Sequence, residues 1–350
     1  MGRIRVCLCG LAVAASFAVL APPTRAQDPF SLPISLFERY LDALRQQVGI
    51  PGLSGAILQE GKLVWDAGLG YQDTEGLVRA TPDTPYPLLD ISQTISSTIL
   101  LDQCVEQRAL DLSDSVRRWN PSFSDSATVR QVLQHAPSGS FRYDSGRFAA
   151  LTTVIEECAD DDFPRLVADD IFSRFGMASS VPEHDLRDSS PSRGFFSSGD
   201  YSRYRSILDR VATAYKVDGN RRASKSDYSR PSLTAATGLV STVRDLARFD
   251  LALDAGALID SDTRSMAWQS SGSAPTGLGW FVQSHNGERV VWHFGLARDS
   301  YSTLYIKVPG RKLSLILLAN SDGLAAPYSL SNGDLSVSLF AQLFLKLFVS

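Results

Sequence analysis

The chain is short of several things, and each shortage removes a class of protein. Its 350 residues include only four His, four Cys and three Met, and no His-Glu-x-x-His or Cys-x-x-Cys stands at metal-ligand spacing. No metal and no cofactor are expected. There is no basic excess: 34 Lys and Arg face 38 Asp and Glu, giving a formal charge of −4, so the electrostatic footprint of a nucleic-acid binder is missing. There is no compositional bias either. With 44% apolar and 21% charged residues the chain sits near the globular average, which excludes a disordered or low-complexity protein. No internal repeat is present, and a chain this long can bury a core without depending on disulfides or metals.

Long apolar runs are confined to one place. Arg3 and Arg5 precede an apolar stretch from Val6 to Leu20, and Thr24-Arg25-Ala26 sets small residues at the −3 and −1 positions of a cleavage site. This is the anatomy of a secretory signal peptide. The run is shorter than the ~20 residues a membrane span needs, and no later stretch could span a bilayer. Cleavage after Ala26 removes three Arg and no acid, leaving 31 basic and 38 acidic side chains, a net charge of −7. The expectation is a signal peptide at 1–26 and an exported, acidic protein at 27–350, periplasmic or secreted, with no stable membrane span after cleavage. Cys7 and Cys9 leave with the signal peptide. Cys104 and Cys158 remain, and the sequence leaves open whether they pair in an oxidising compartment or stay as free buried thiols.

What is there reads as strands at both ends with helices between. Ser35-Leu36-Phe37-Glu38 has the form of a capping box opening a helix that Gly49 and Pro51 end. Leu53–Gln59 and Leu63–Tyr71 are two β-like runs joined by Glu60-Gly61, a hairpin signal. Helical spacing follows at about 91–108, then at Val129–His135, Phe148–Cys158, Phe163–Phe175 and Leu246–Leu253. From Val181 to Pro231 the chain is rich in Ser, Arg, Asp and Tyr without a sustained apolar period, and is expected to wrap the surface. Gly279–Ser284, Arg289–His293, Tyr301–Val308 and Leu313–Asn320 read as strands, and a helix at about 334–347 closes the chain. The fold class is therefore α/β (α+β): a sheet from about 30–80 and 275–350, flanked by helices, with an inserted mainly helical region at about 85–270.

Several phrases, taken in order, resemble one superfamily. They are Gly52–Tyr71, Leu110-Asp111-Leu112-Ser113-Asp114, Val132-Leu133-Gln134-His135 with Ser138-Gly139, Phe175-Gly176-Met177, Gly238-Leu239-Val240-Ser241-Thr242, Gly277-Leu278-Gly279-Trp280-Phe281 and Trp292-His293-Phe294-Gly295. Together they resemble the serine β-lactamase and penicillin-binding-protein superfamily, in its class C β-lactamase and D-alanyl-D-alanine carboxypeptidase branch. The likeness covers about 36–320 and implies a β-lactamase/transpeptidase-like fold with an antiparallel sheet. It also implies three chemical elements: a Ser-x-x-Lys supplying nucleophile and amine, a Tyr-x-Asn on a loop, and a Lys-Thr-Gly or His-x-Gly on the neighbouring strand, whose glycine lets substrate backbone approach.

Mapped onto this chain, those elements are degenerate. Asp90-Ile91-Ser92-Gln93 stands where Ser-x-x-Lys belongs, with Asp90 in the place of the nucleophile and Gln93 in that of the amine. None of the six lysines has a serine three residues before it. Tyr143-Asp144-Ser145 keeps only the Tyr, with Ser145 at the Asn position, while His293-Phe294-Gly295 matches His-x-Gly fully. A carboxylate is a poor nucleophile toward an amide, and a neutral Gln93 cannot act as general base. No Gly-x-Ser-x-Gly elbow replaces them. Asp90 at a helix start is expected to cap it, Ser92, Ser96 and Ser97 to be packing residues, Tyr143 to be a half-buried aromatic, and His135 and the tryptophans to pack. The site positions are thus Asp90, Gln93, Tyr143, Ser145, His293 and Gly295, with no catalytic set intact.

Two functions follow. One is a non-catalytic relative that binds a peptidoglycan-derived peptide or a protein partner. The other is a hydrolase in which Asp90, Tyr143 and His293 form an acid/base cluster activating water.

Overall fold

The computed structural model describes residues 31–349 except 271 and 273, together with Gly2. The expected signal peptide otherwise lies outside the described residues. Helix α1 (Ser31–Val48) begins four residues before the expected cap, so Ser35 lies inside the helix rather than at its start. The reason is Pro33, whose missing N–H falls in the first turn, where amides have no helical acceptor anyway. Strands β1 (Gly52–Gln59) and β2 (Lys62–Asp73) turn about Glu60 and Gly61, both at positive φ (48° and 73°), the backbone a tight hairpin requires. The short β3 (Val78–Arg79) completes the edge.

The inserted region holds β4 (Tyr86–Pro87), α2 (Ser92–Leu100) continued by a π-helical turn to Glu106, α3 (Val129–Leu133), α4 (Ser145–Phe148), α5 (Leu151–Ala159) and α6 (Phe163–Leu166). After these come α7 (Ser198–Leu208), the small hairpin β5 (Tyr215–Val217) and β6 (Ala223–Lys225), β7 (Val240–Ser241) pairing with β4, α8 (Val243–Asp254) and α9 (Ser261–Ala267). Helix α7 corrects the expectation of an irregular wrap at 181–231. Ser197 caps it by accepting from the Asp200 amide, and Tyr204, Ile207 and Leu208 bury against Val181, Leu186 and Phe196 in a small separate core. The signal was present in the Tyr204/Ile207/Leu208 spacing, diluted by the polar residues around it.

Strands β8 (Phe281–His285), β9 (Glu288–Ala297), β10 (Tyr301–Val308) and β11 (Leu313–Ala319) and the terminal α10 (Leu339–Phe348) follow. The sheet order is β3-β2-β1-β11-β10-β9-β8, and its pairs are antiparallel. Leu53 lies opposite Ala319, so the two ends of the sequence close the sheet at its centre. This is the α/β architecture expected from the sequence.

Both faces of the sheet are covered. Leu313, Leu315, Leu317 and Ala319 pack with Phe37, Leu41, Phe340 and Phe344 of the terminal helices, while Ile316 and Leu318 join the core of the helical region. A half-exposed antiparallel strand alternates apolar with polar; β11 does not because neither face meets water. Among the described residues no helix is long and apolar enough to cross a membrane.

Cys104 and Cys158 are joined, with their Cα atoms 5.9 Å apart and a sequence separation of 54. The bond ties the turn after α2 to the end of α5. Replacing both cysteines by alanine is expected to lower unfolding free energy by about 2–4 kcal/mol in urea titrations. Alkylation of the denatured, unreduced protein should label neither cysteine; labelling of both would overturn the pairing.

Candidate functional site

The site lies where the turn before α2 meets the edge of β9. The Leu88 amide donates to the Leu239 carbonyl (2.8 Å), and the Leu88 carbonyl accepts from Thr303 Oγ1 (3.1 Å). Leu89 then takes a positive φ of 54° and delivers Asp90 to the cleft floor. Gly295 makes this packing possible: a Cβ there would stand 2.6 Å from Leu89 Cβ and 2.9 Å from Leu88 O. Its bareness lets strand and turn touch.

Asp90 is not a helix cap. It lies within a 3₁₀ turn, Leu89–Ile91, with no side-chain cap on that turn or on α2. Its Oδ1 instead accepts from Ser145 Oγ at 2.5 Å and from Gln93 Nε2 at 3.4 Å. The Gln93 amide also lies 3.2 Å from the Tyr143 hydroxyl and 3.4 Å from Ser145 Oγ. Four of the expected positions, Asp90, Gln93, Tyr143 and Ser145, thus form one cluster.

His135, expected only to pack, holds that cluster in register. The Asp144 amide donates to His135 Nδ1 (3.1 Å), which makes that nitrogen the acceptor and leaves the proton on Nε2. Nε2 therefore donates to Gln93 Oε1 at 2.9 Å. With its oxygen so engaged, Gln93 must turn its NH₂ toward Asp90, Tyr143 and Ser145. The ring is clamped between Tyr143 (centroids 4.4 Å apart) and Phe148 (5.4 Å). Burial, with the nearby His293 adding to it, pushes the His135 pKa down to about 3, so the ring is neutral and works as a fixed dipole. Sequence spacing offered no sign of this: the contact spans 42 residues and needs His135 at a φ of +48°.

His293 stays apart. It is buried on β9 and its Nδ1 bonds to the backbone of Phe294, the next residue (2.8 and 3.0 Å). Its ring centroid is 6.3 Å from that of Tyr143, and burial lowers its pKa to about 4. The expected cluster of Asp90, Tyr143 and His293 is corrected accordingly: the imidazole that engages the cleft is His135, through Gln93. Tyr143 rests on Phe281 and Phe294 (5.6 and 5.4 Å). Ser96 and Ser97 spend their hydroxyls on the Ser92 and Leu278 carbonyls, as packing serines do.

The electrostatics are those of a site without a cation. Burial raises the Asp90 pKa to about 6, with hydrogen bonds from Ser145 and Gln93 pulling the other way. Burial and the Asp90 charge hold the Tyr143 phenol well above its ordinary pKa, so it remains a donor. Among the described residues no lysine supplies the missing charge: Lys307 is buried against Asp250 and Asp254, while Lys216, Lys225 and Lys312 pair with Asp299, Glu75 and Glu60. Among the described residues no group of three His, Cys, Asp or Glu is placed to hold a metal. Chemically, the floor offers a carboxylate that can change protonation near pH 6, and a phenol, a hydroxyl and an amide beside it.

A helical insertion over one face of such a sheet, with a cleft between the α2 turn and β9, defines the serine β-lactamase and penicillin-binding-protein fold. The Beta-lactamase family model matches residues 37–332, and the chain belongs to that family. Protein flp of Staphylococcus aureus (strain MW2) is 21% identical over 324 residues, covering 79% of this chain and 60% of the relative. The mitochondrial serine beta-lactamase-like protein of Mus musculus is 32% identical over 123 residues, covering 33% of this chain and 22% of the relative. The chain thus spans less than two thirds of either curated relative. Among solved structures, the octameric penicillin-binding protein homologue from Pyrococcus abyssi aligns with a TM-score of 0.71 at 19% identity, covering 89% of this chain and 77% of that one. D-alanine carboxypeptidase AmpC from Burkholderia cenocepacia aligns at 0.67 and 16% identity, covering 83% and 94%. At these identities the structural likeness speaks for the fold alone.

Proposed function

We propose that this chain is an exported member of the family that recognises cell-wall-derived peptides in the Asp90 cleft without forming an acyl-enzyme. One observation carries the reading: the position expected to hold a nucleophilic hydroxyl holds a carboxylate, locked by Ser145 and Gln93. Carboxylate attack on an amide gives an anhydride that reverts, and the Gln93 amide has no basicity to offer a neighbouring hydroxyl. The walls of the cleft persist, with Tyr143 and the β9 edge in place, so binding can outlast turnover. Where nucleophile and base act as a unit, losing either costs on the order of 10⁶ in rate.

A second reading has its own observation. Ser145 Oγ donates to Asp90, and a carboxylate with a raised pKa beside a serine is the beginning of a nucleophile–base pair. One experiment separates the two. The protein is incubated with a labelled penicillin and with a fluorophosphonate and read by intact mass, while muropeptide binding is followed by calorimetry. Muropeptide binding with no adduct is the expected result. Stoichiometric labelling, above all on Ser145, overturns the non-acylating reading, and absence of muropeptide binding overturns the ligand.

A further inference from the structure

Lys307 lies on β10 with its side chain turned into the core, only 1% exposed. Its Nζ stands 2.5 Å from Oδ1 of Asp250, a side chain equally buried, and 3.0 Å from Asp254 Oδ1. The two aspartates are one turn apart on α8, so they share a helix face. Ser314 Oγ, opposite on β11, accepts from Nζ at 3.1 Å. Trp268 and Tyr305 wall the amine, their ring centroids 5.6 and 5.9 Å from Nζ, and Trp280 packs edge-on against both.

Lysine and aspartate are almost never fully buried unless paired, and pairing alone leaves this cluster unbalanced. One ammonium faces two carboxylates, so a net negative charge would remain in the core. Asp250 Oδ1 takes both the Lys307 amine and the Tyr305 hydroxyl. Asp250 Oδ2 is buried and has no hydrogen-bond partner among the described residues. A carboxylate with one bare buried oxygen is a costly form. Passing one proton from Nζ to that oxygen leaves a neutral amine against a neutral carboxylic acid, which the apolar surroundings favour.

An amine fixed against a carboxylic acid in a dry site is the starting state for amide formation. Well-oriented partners reach effective concentrations of about 10⁵–10⁸ M, and condensation removes both buried charges for good. We infer that Lys307 and Asp250 condense into an isopeptide bond joining β10 to α8, with Tyr305 and Asp254 assisting. The Nζ lone pair attacks Asp250 Cγ, and the charge that develops on Oδ1 is met by the Tyr305 hydroxyl. Burial and the Asp250 charge hold that phenol well above its ordinary pKa, so it stays a donor. Asp254 takes the second Nζ proton and delivers it to the departing Oδ2 hydroxyl; burial raises its pKa, which suits it to hold a proton. The Cγ–Oδ2 bond breaks, one water leaves, and nothing is oxidised or reduced. The product keeps the oxygen that has a donor and sheds the one that has none. No member of the Asp90 cluster takes part, so the bond and the muropeptide reading stand or fall separately.

The test is the intact mass of the purified protein after reduction and alkylation, followed by tryptic mapping. The chain is expected to be lighter by one water than its residues sum to. Trypsin is expected to spare Lys307 and release a branched peptide joining Phe249–Arg264 to Asp299–Arg311, with fragmentation placing the branch at Asp250. Asp254→Asn keeps amine and acid and should form the bond about a hundredfold or more slowly, the usual loss with a proton-transfer group. Lys307→Met with Asp250→Leu, which leaves no half of the pair behind, should show the full mass. Full mass in the wild type overturns the inference, as does a branch at Asp254. So does a lost water with Lys307 still cleaved, the mark of an aspartyl succinimide elsewhere. Undiminished linkage in Asp254→Asn overturns the role given to Asp254.

Discussion

Asp90→Ser alone and Gln93→Lys alone are expected to take up no penicillin, and Asp90→Ser with Gln93→Lys to acylate slowly and in part, as read by intact mass. A serine at position 90 without a base has no way to lose its proton, and a lysine at position 93 beside Asp90 has no hydroxyl to activate. The double variant restores both at one-turn spacing, with Tyr143 already 3.2 Å from the residue-93 side chain. Two features keep it slow. His135 Nε2, which now donates to Gln93 Oε1, would point its proton at an ammonium, so the ring must change tautomer and lose its bond from Asp144. Ser145 also lacks the amide that would position a substrate carbonyl. Rapid stoichiometric acylation of the double variant would show that neither feature matters, and acylation of either single variant would contradict the requirement for both.

Asp90→Asn is expected to be more stable than the wild type at pH 7.5, by about 3 kcal/mol, and by only about 1 kcal/mol at pH 4.5. The folded-state pKa of Asp90 is raised to about 6 from an unperturbed 3.8. A raised acid pKa means that the folded protein disfavours the carboxylate. Below about pH 4 the group is protonated in both states and contributes nothing. Between about pH 4 and 6 the folded state holds the extra proton, and stability falls as pH rises. Above about pH 6 the cost is complete. Asparagine removes the titration and still accepts from Ser145. Urea titrations of both proteins from pH 4.5 to 7.5 check this; a stability difference that does not change with pH would place Asp90 in a solvated setting.

Much of the fold was legible because its signals are local. The β1–β2 hairpin follows from two β-like runs joined at Glu60-Gly61, and β11 from an apolar run no solvated strand would carry. The closing helix shows its apolar stripe directly. That Asp90 and Gln93 stand where the resemblance expects Ser and Lys is also plain, since identity at a position needs no coordinates. Elsewhere one local signal outweighed another. Ser35 looks like a cap until Pro33 is given its place in the first turn, and α7 hides its apolar spacing among serines and arginines.

What the sequence by itself determined is the sheet built from two termini, the inserted helical region and the presence of Asp90 and Gln93 at the positions where the resemblance expects nucleophile and amine. Only the tertiary structure decided what those residues do. Asp90 takes its nearest donor, Ser145, from α4, 55 residues away, and so accepts side chains rather than capping a helix. His135 reaches Gln93 because a left-handed residue swings its ring beneath Tyr143, and His293 is removed because its nitrogen closes on its own strand. Gly295 serves the contact of strand with turn, and Cys104 meets Cys158 because α5 packs beside the turn after α2. Except for His293, which is held by the next residue of its own strand, each of these depends on the approach of segments far apart in the chain. Side-chain chemistry can be read from a sequence, but the partner that gives a side chain its role is fixed by packing.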